Sequence, residues 1–369
     1  MSGTGASTAP RPAASATSAT STRRSAVRLI GGVLVVAIGV AVIGALPRVA
    51  GTSWGDIGSI TASIHPGWWT LLAVVWAAGI VLHSLVLTSS MTGLSTRRAL
   101  SLNLAGSALA NAIPLGGPAS VGLTTAMARS WGFGSVVWTA FLAVSNVWNF
   151  AARAALGFGG ITVWALVDPN SPYSRVLGLG GLVGTVLVMA MLALSARNSA
   201  MGWLGRAVGR AADRADRWRR RPDRAARDRL PAWILRVRRV GVEVITRRWR
   251  SLTMGVLGYL ALLCLLLDLC LRALHSPLPL LAIVAAVGVE RLLSLIPFSP
   301  GGAGFTESGV ATVLILSGSG AAVAVSAALI YRLFTFALEI PVGGVVAAGW
   351  ALTRGQHGGR RRTAGPGVA

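Results

Sequence analysis

Two stretches of this chain combine residue types that can hold a polar ligand inside an apolar protein. The first reads Asn111-Ala-Ile-Pro114-Leu-Gly116-Gly117-Pro118-Ala-Ser-Val-Gly122. The second reads Leu295-Ile-Pro297-Phe-Ser-Pro300-Gly301-Gly302-Ala-Gly304-Phe-Thr306-Glu307. Both run Ile-Pro, then a Gly-Gly pair, then a further Gly, then a helix with small residues. Proline cannot continue a helix, and glycine permits positive φ and close backbone approach. Inside a membrane such backbone is tolerated where it is buried in protein or lines a cavity, and paired interruptions in two halves point to a midplane binding site. The plainer alternative is a pair of ordinary kinks. After the second break, Thr306 is placed to cap the next helix, whose amides would attract an anion such as a lipid phosphate. Glu307 suits the positive end of that helix, and pure capping is its alternative role.

Ionisable residues within apolar segments are rare and default to functional candidates. Arg153, Glu290, Arg291, Glu307, Arg332 and Glu339 qualify. Seven residues separate Arg332 from Glu339, which places them on one face of a regular helix. Glu290 and Arg291 precede Pro297 by about 10 Å of helix. An arginine in a protein-lined cavity would grip phosphate with its planar fork; snorkelling or internal ion pairing is the competing role. Asp268 and Arg272 form a four-apart pair to which no function is assigned.

The elements that must position these residues are membrane helices. The chain has 369 residues, 53% hydrophobic and 12% charged, where a soluble domain carries roughly a quarter charged. Runs such as Leu29–Leu46, Trp68–Val86, Leu177–Leu194 and Leu252–Leu271 approach the ~20 residues that cross ~30 Å of hydrocarbon, and they are continuous rather than alternating. The expected fold is all-α: a polytopic membrane helix bundle of about eight spans, with broken or re-entrant helices and an internal pseudo-repeat. Eight crossings plus one re-entrant element fit the charges. A basic tail, residues 1–28, precedes the transmembrane domain, residues 29–350; a secretory signal is the alternative for this start. Residues 351–369 form a second tail.

All 34 basic residues are Arg, and the net charge is +23. Half of them, 17, lie between Arg197 and Arg250, against five acids. Such clusters beside spans are the positive-inside signal, which places both termini and the segment 196–250 in the cytoplasm of a plasma-membrane protein. Within that segment Trp203, Ala207, Ala211, Ala215 and Trp218 form one apolar stripe. Trp233, Val237, Val240, Val244 and Trp249 form another, as in amphipathic helices at an anionic interface. A topology-fixing loop is the alternative. The distribution argues against nucleic acid as a partner. Cys264 and Cys270 fall on different faces of one helix and cannot pair. His65, His83, His275 and His357 are too scattered for a metal cluster, and no phosphate-binding loop ending in Lys is present. No cofactor is expected.

The Pro297–Glu307 stretch resembles the Pro-Gly-Gly-x-Gly-x-x-Glu signature of the lysylphosphatidylglycerol synthase transmembrane region, the flippase-like family also called UPF0104. Arg332 matches that family's arginine in the next long helix. Asn111-Ala-Ile-Pro114 and Arg129 resemble its first-half motif, without the acidic residue that often follows the Pro-Gly turn there. The resemblance covers about Trp68–Trp350. It implies a flippase-like membrane protein for a phosphate-bearing anionic lipid, with Pro297, Gly301, Gly302, Gly304, Thr306, Glu307, Arg332, Arg291, Pro114, Gly116, Gly117 and Arg129 around the headgroup. Members that make the lysyl-lipid carry a further soluble aminoacyl-transfer domain, which is not expected here, so the chain is not expected to be an enzyme. The alternative is a non-catalytic membrane subunit that anchors or regulates a lipid-modifying or glycosyl-transferring enzyme of cell-envelope synthesis, with the Arg-rich segment as its dock. A third reading, a transferase with Glu307 as base, lacks a clustered acid–base set.

Overall fold

A computed structural model describes residues 41, 43–113, 116–167, 174–196, 224–295 and 300–363. Pro114, Pro297 and the stripe from Trp203 to Trp218 lie outside these residues. Among the described residues every regular element is helical. In chain order they are α1 (Trp54–Ala62), α2 (Pro66–Ser90), α3 (Thr96–Ala112), α4 (Gly116–Ser130), α5 (Ser135–Val167), α6 (Ser174–Ala196), α7 (Arg224–Ala273), α8 (Leu280–Leu293), α9 (Phe305–Leu316), α10 (Ala321–Arg332) and α11 (Glu339–Thr363). A single 3₁₀ turn, Pro300–Gly302, precedes α9, and a π-turn, Leu333–Ala337, joins α10 to α11.

Among the described residues four stretches are long and apolar enough to cross a membrane: Pro66–Ser90, Ser135–Val167, Trp233–Ala273 and Ala321–Thr353. Their outward faces carry Val74, Val81, Leu85, Val147, Met254 and Leu257, all exposed, as befits contact with lipid tails. In the broken regions α3 and α4 fold back on each other, as do α8 and α9, so the described residues hold two hairpins of short helices. These four helices have 17, 15, 14 and 12 residues, about 18–26 Å each, which is short of the ~30 Å hydrocarbon core. Chain direction alternates through the long helices, so the α3–α4 hairpin enters from the end holding Arg97, Arg98 and Arg248. The α8–α9 hairpin enters from the opposite end. That is an inverted arrangement of two similar units.

Local sequence explains where the helices begin. In α1 the Ser53 hydroxyl accepts from Asp56 N–H at 3.1 Å while the Asp56 carboxylate accepts from Ser53 N–H at 3.1 Å. This reciprocal cap and the Ser53 hydroxyl hold the exposed Asp56 carboxyl below the usual carboxylate range. Pro66 opens α2, with the His65 ring accepting from Gly67 N–H.

Helix association in lipid relies on close packing rather than on hydrophobic burial, and small residues supply it here. Gly288 of α8 lies against α5, where an added Cβ would meet the Leu156 carbonyl oxygen at 2.7 Å and Gly157 Cα at 2.9 Å. A Cβ on Gly343 of α11 would fall on the Leu104 carbonyl of α3. The main buried cluster joins Leu72, Leu267, Leu271, Ile283, Val310, Leu314 and Tyr331. A second cluster, with Met91, Met127, Trp138 and Phe141 at its centre, packs the base of the α3–α4 hairpin.

The Trp233–Trp249 stripe does not form a separate surface helix. It continues without interruption into the Leu252–Leu271 span as one 50-residue helix, α7. Val244 of that stripe and its neighbour Ile245 pack into the main cluster, and Gly241 lies against Val144 of α5. Protein, not an interface alone, therefore covers part of the apolar stripe.

Candidate functional site

The two Gly/Pro breaks meet in the middle of the bundle. The Asn111 side-chain oxygen lies 3.0 Å from where a Cβ on Gly301 would sit. The first reversal is tight because Gly116 tucks under α3, where a Cβ would press on the carbonyls of Leu109 and Ala110 at 2.5 Å. In the second turn Gly301, Gly302 and Gly304 have φ of 54°, 75° and 90°, a region that side chains disfavour.

Around these turns lies a cavity of about 460 Å³, within the range of ligand pockets. The first hairpin contributes Asn103, Ser107, Asn111, Gly116 and Gly117, and the second contributes Glu290, Arg291, Ser294, Gly301 and Gly302. Arg332, Thr335 and Glu339 reach it from the α10–α11 strut. His83, Arg153 and Tyr259 close the remaining wall from α2, α5 and α7.

Four charged residues form a self-contained network. Arg332 Nε donates to Glu307 Oε1 at 2.8 Å, Nη1 to Glu290 Oε1 at 3.4 Å, and Nη2 to the Gly301 carbonyl at 2.8 Å. The Arg332 guanidinium also lies over the Phe336 ring, 4.6 Å from its centre. Arg291 makes a two-point pair with Glu290. Two guanidinium groups thus face two carboxylates, all buried. Charges so placed are tolerable because each has partners; removal of one would leave the others uncompensated. Every nitrogen of Arg332 is engaged within the protein, so this arginine anchors the second turn.

Two sequence expectations at α9 take a different form. The N-cap position is Gly304, not Thr306. Thr306 is buried one residue inside the helix, and its hydroxyl is within reach of the Gly302 carbonyl at 3.1 Å and Glu307 Oε2 at 2.9 Å. Glu307 Oε2 accepts from Gly304 N–H at 2.7 Å, so the chain's own carboxylate occupies the end of α9 where a phosphate was expected. Gly304 and Thr306 therefore shape the turn from behind the cavity wall. Arg129 is exposed in the last turn of α4, far along its hairpin from the cavity.

Arg332 and Glu339 both line the cavity, from opposite ends of the π-turn. The π-turn between them takes up an extra residue, and Leu338 N–H reaches back to the Leu333 carbonyl at 2.8 Å. Consequently Arg332 holds the second turn, while Glu339 Oε2 accepts from the Asn111 amide of the first at 3.2 Å. One helix grips both hairpins.

The remaining wall holds what the motifs did not single out. Arg153 lines the cavity with no hydrogen bond or ion pair to any described residue. Nearby, Asn103 donates toward Ile80 O and Ser84 Oγ, at 3.4 and 3.3 Å, and its oxygen faces His83 Nδ1 at 3.0 Å. That orientation makes His83 Nδ1 the protonated nitrogen. His83 stacks on Tyr259 with ring centres 4.7 Å apart. Arg153 was legible as an ionisable residue in an apolar helix. Asn103, His83 and Tyr259 are isolated polar residues on three helices that no sequence spacing links.

The chain matches no curated protein and no solved structure. A family model described as the lysylphosphatidylglycerol synthase TM region matches residues 29–343, the stretch that holds both hairpins and every residue of the cavity. The chain therefore belongs to the family of the lysylphosphatidylglycerol synthase transmembrane region.

Proposed function

We propose that the protein binds the phosphate-bearing headgroup of an anionic lipid in the central cavity and carries it between the two leaflets, without chemistry on the lipid. The observation that carries this reading is Arg153: a guanidinium without an ion-pair partner among the described residues, on the wall of a polar cavity at mid-bundle where two hairpins from opposite ends meet. An unpaired charge in such surroundings is costly unless a ligand supplies its counterpart. A phosphate offers the planar, two-point partner that arginine favours. The hairpins give the site one lip toward each leaflet, and movement of either would change which side it faces while the lipid tails stay outside.

The reading places the protein in the plasma membrane with its Arg-rich end in the cytoplasm. Its test is lipid movement after reconstitution. Vesicles that carry the full chain should move a fluorescent phosphatidylglycerol between leaflets, and Arg153→Gln should reduce binding of that lipid about 10- to 100-fold, the loss expected for a charge-assisted pair. Unchanged binding and movement in Arg153→Gln, with an unaltered melting temperature, would remove the cavity from the mechanism.

A further inference from the structure

We infer that the cavity takes up its phosphate-bearing anion together with a proton, the anion at Arg153 and the proton at Glu339. This rests on the headgroup reading above and adds the coupling that reading leaves open. The argument is one of charge balance. Three arginines and three glutamates surround the cavity: Arg153, Arg291 and Arg332, with Glu290, Glu307 and Glu339. Arg291 and Arg332 are paired with Glu290 and Glu307. What remains is one cation, Arg153, and one carboxylate, Glu339, neither in an ion pair with any described residue.

These six side chains therefore sum to zero charge while Glu339 is ionised. A monoanion bound at Arg153 would leave one net negative charge in apolar surroundings, which is strongly unfavourable. A proton taken from the aqueous phase onto Glu339 restores neutrality; no bond in the ligand is made or broken. Glu339 is suited to this because its carboxylate accepts a hydrogen bond from a neutral amide, Asn111 of α3, with Ser107 of the same helix on the adjoining wall. Glu290 and Glu307, by contrast, are clamped by guanidinium groups and would lose those bonds on protonation.

The charged and titratable groups that face Glu339 come from every surrounding element. Arg332 belongs to α10, Arg291 and Glu290 to α8, and Arg153 to α5. Tyr259 of α7 and His83 of α2 line the same cavity, and Glu307 of α9 lies behind Arg332. Of these His83 is the competing proton acceptor, so the test must separate it from Glu339. An anion that travels with its proton moves as a neutral pair. Its transport responds to a pH gradient and not to membrane potential.

The experiment is calorimetric titration of the purified full chain in neutral-lipid nanodiscs with a short-chain phosphatidylglycerol. It is repeated in buffers of different ionisation enthalpy so that protons taken up can be counted. Dimethyl phosphate, a tail-less monoanionic diester, serves as the second probe. The expected result is about one proton per lipid bound, with affinity falling up to about tenfold per pH unit above the range where Glu339 is protonated. Glu339→Gln should lose both the proton count and the pH slope, whereas His83→Gln should keep them. The same count with dimethyl phosphate supports the link and shows that the phosphate alone suffices. The count with the lipid alone supports it and assigns the anion to a lipid.

A wild-type count near zero overturns the inference and leaves the headgroup reading standing, and so does a count unchanged in Glu339→Gln. Failure of the wild type to bind either probe overturns both. The wild-type count needs no variant, so the inference stays decidable whatever Glu339→Gln does to folding.

Discussion

At the scale of single residues, the arginines divide by what already holds them. Arg332 is fixed by Glu307, Glu290 and the Gly301 carbonyl, whereas Arg153 faces the cavity without such a partner among the described residues. The division predicts opposite phenotypes. Arg332→Ala leaves the buried Glu307 carboxylate without a guanidinium, while Glu290 keeps Arg291, and should destabilise the fold by about 3–5 kcal/mol, read as a lower melting temperature and poor yield. Arg332→Lys restores one charge but not the three-point grip, so recovery should be partial. Pairing Arg332→Ala with Glu307→Gln should recover part of the loss, because one uncompensated charge is removed along with its partner. Arg153→Gln should melt close to the wild-type temperature, because the half-buried Arg153 has no hydrogen bond or ion pair with a described residue to lose. A folded, stable Arg332→Ala protein would return that residue to the ligand-binding set.

Among the elements, the α10–α11 strut links the two hairpins. Its π-turn sets Arg332 against the second turn and Glu339 against the first, and Gly343 lets α11 lie directly on the α3 backbone. Gly343→Ala places a methyl group on the Leu104 carbonyl, a backbone atom that cannot swing aside. The change should cost about 1–3 kcal/mol, the usual range for overpacking. Because it pushes α3 away from α11, it should also weaken the Asn111–Glu339 contact. The check is a thermal melt together with the rate of disulfide formation between cysteines placed at Asn111 and Glu339, which should fall. Gly344 has open space around a Cβ, so Gly344→Ala is the control and should change neither.

For the whole molecule, the distribution of charge sets the orientation in the membrane. The end that holds Arg97, Arg98, Arg129, Arg239 and Arg248 carries the excess of basic residues among the described helices. In intact cells a membrane-impermeant thiol reagent should therefore fail to label Arg239→Cys and should label Ser63→Cys, which lies at the opposite end; both positions are exposed. Background from the native thiols is low, since Cys264 and Cys270 are buried. Efficient labelling of Arg239→Cys would reverse the orientation, and with it the leaflet to which each hairpin belongs. A full-length swap of orientation would leave the cavity intact, so this measurement is independent of those on Arg153 and Glu339.

Much of this was legible in the order of residues, because it depends on local or compositional physics. Apolar runs of membrane length must be helices, since their backbone groups have no other partner in lipid. Dense Pro and Gly must interrupt those helices, and the motif from Pro297 to Glu307 with Arg332 downstream identified the family. What the sequence could not settle is how half-length helices fold back, since a hairpin and a kinked span share one hydropathy pattern until their packing partners are known. The same holds for Arg332 and Arg153. Both are arginines in apolar helices, and only the fold brings two glutamates and a carbonyl to the first and, among the described residues, none to the second. Thr306 likewise fits a capping pattern locally, but the positive φ at Gly304 and the reach of Glu307 move the cap two residues earlier. The sequence by itself determined that polar groups would lie within the membrane. Tertiary structure decided which of them satisfy one another and which are left facing a cavity, because pairing depends on distances between helices far apart in the chain.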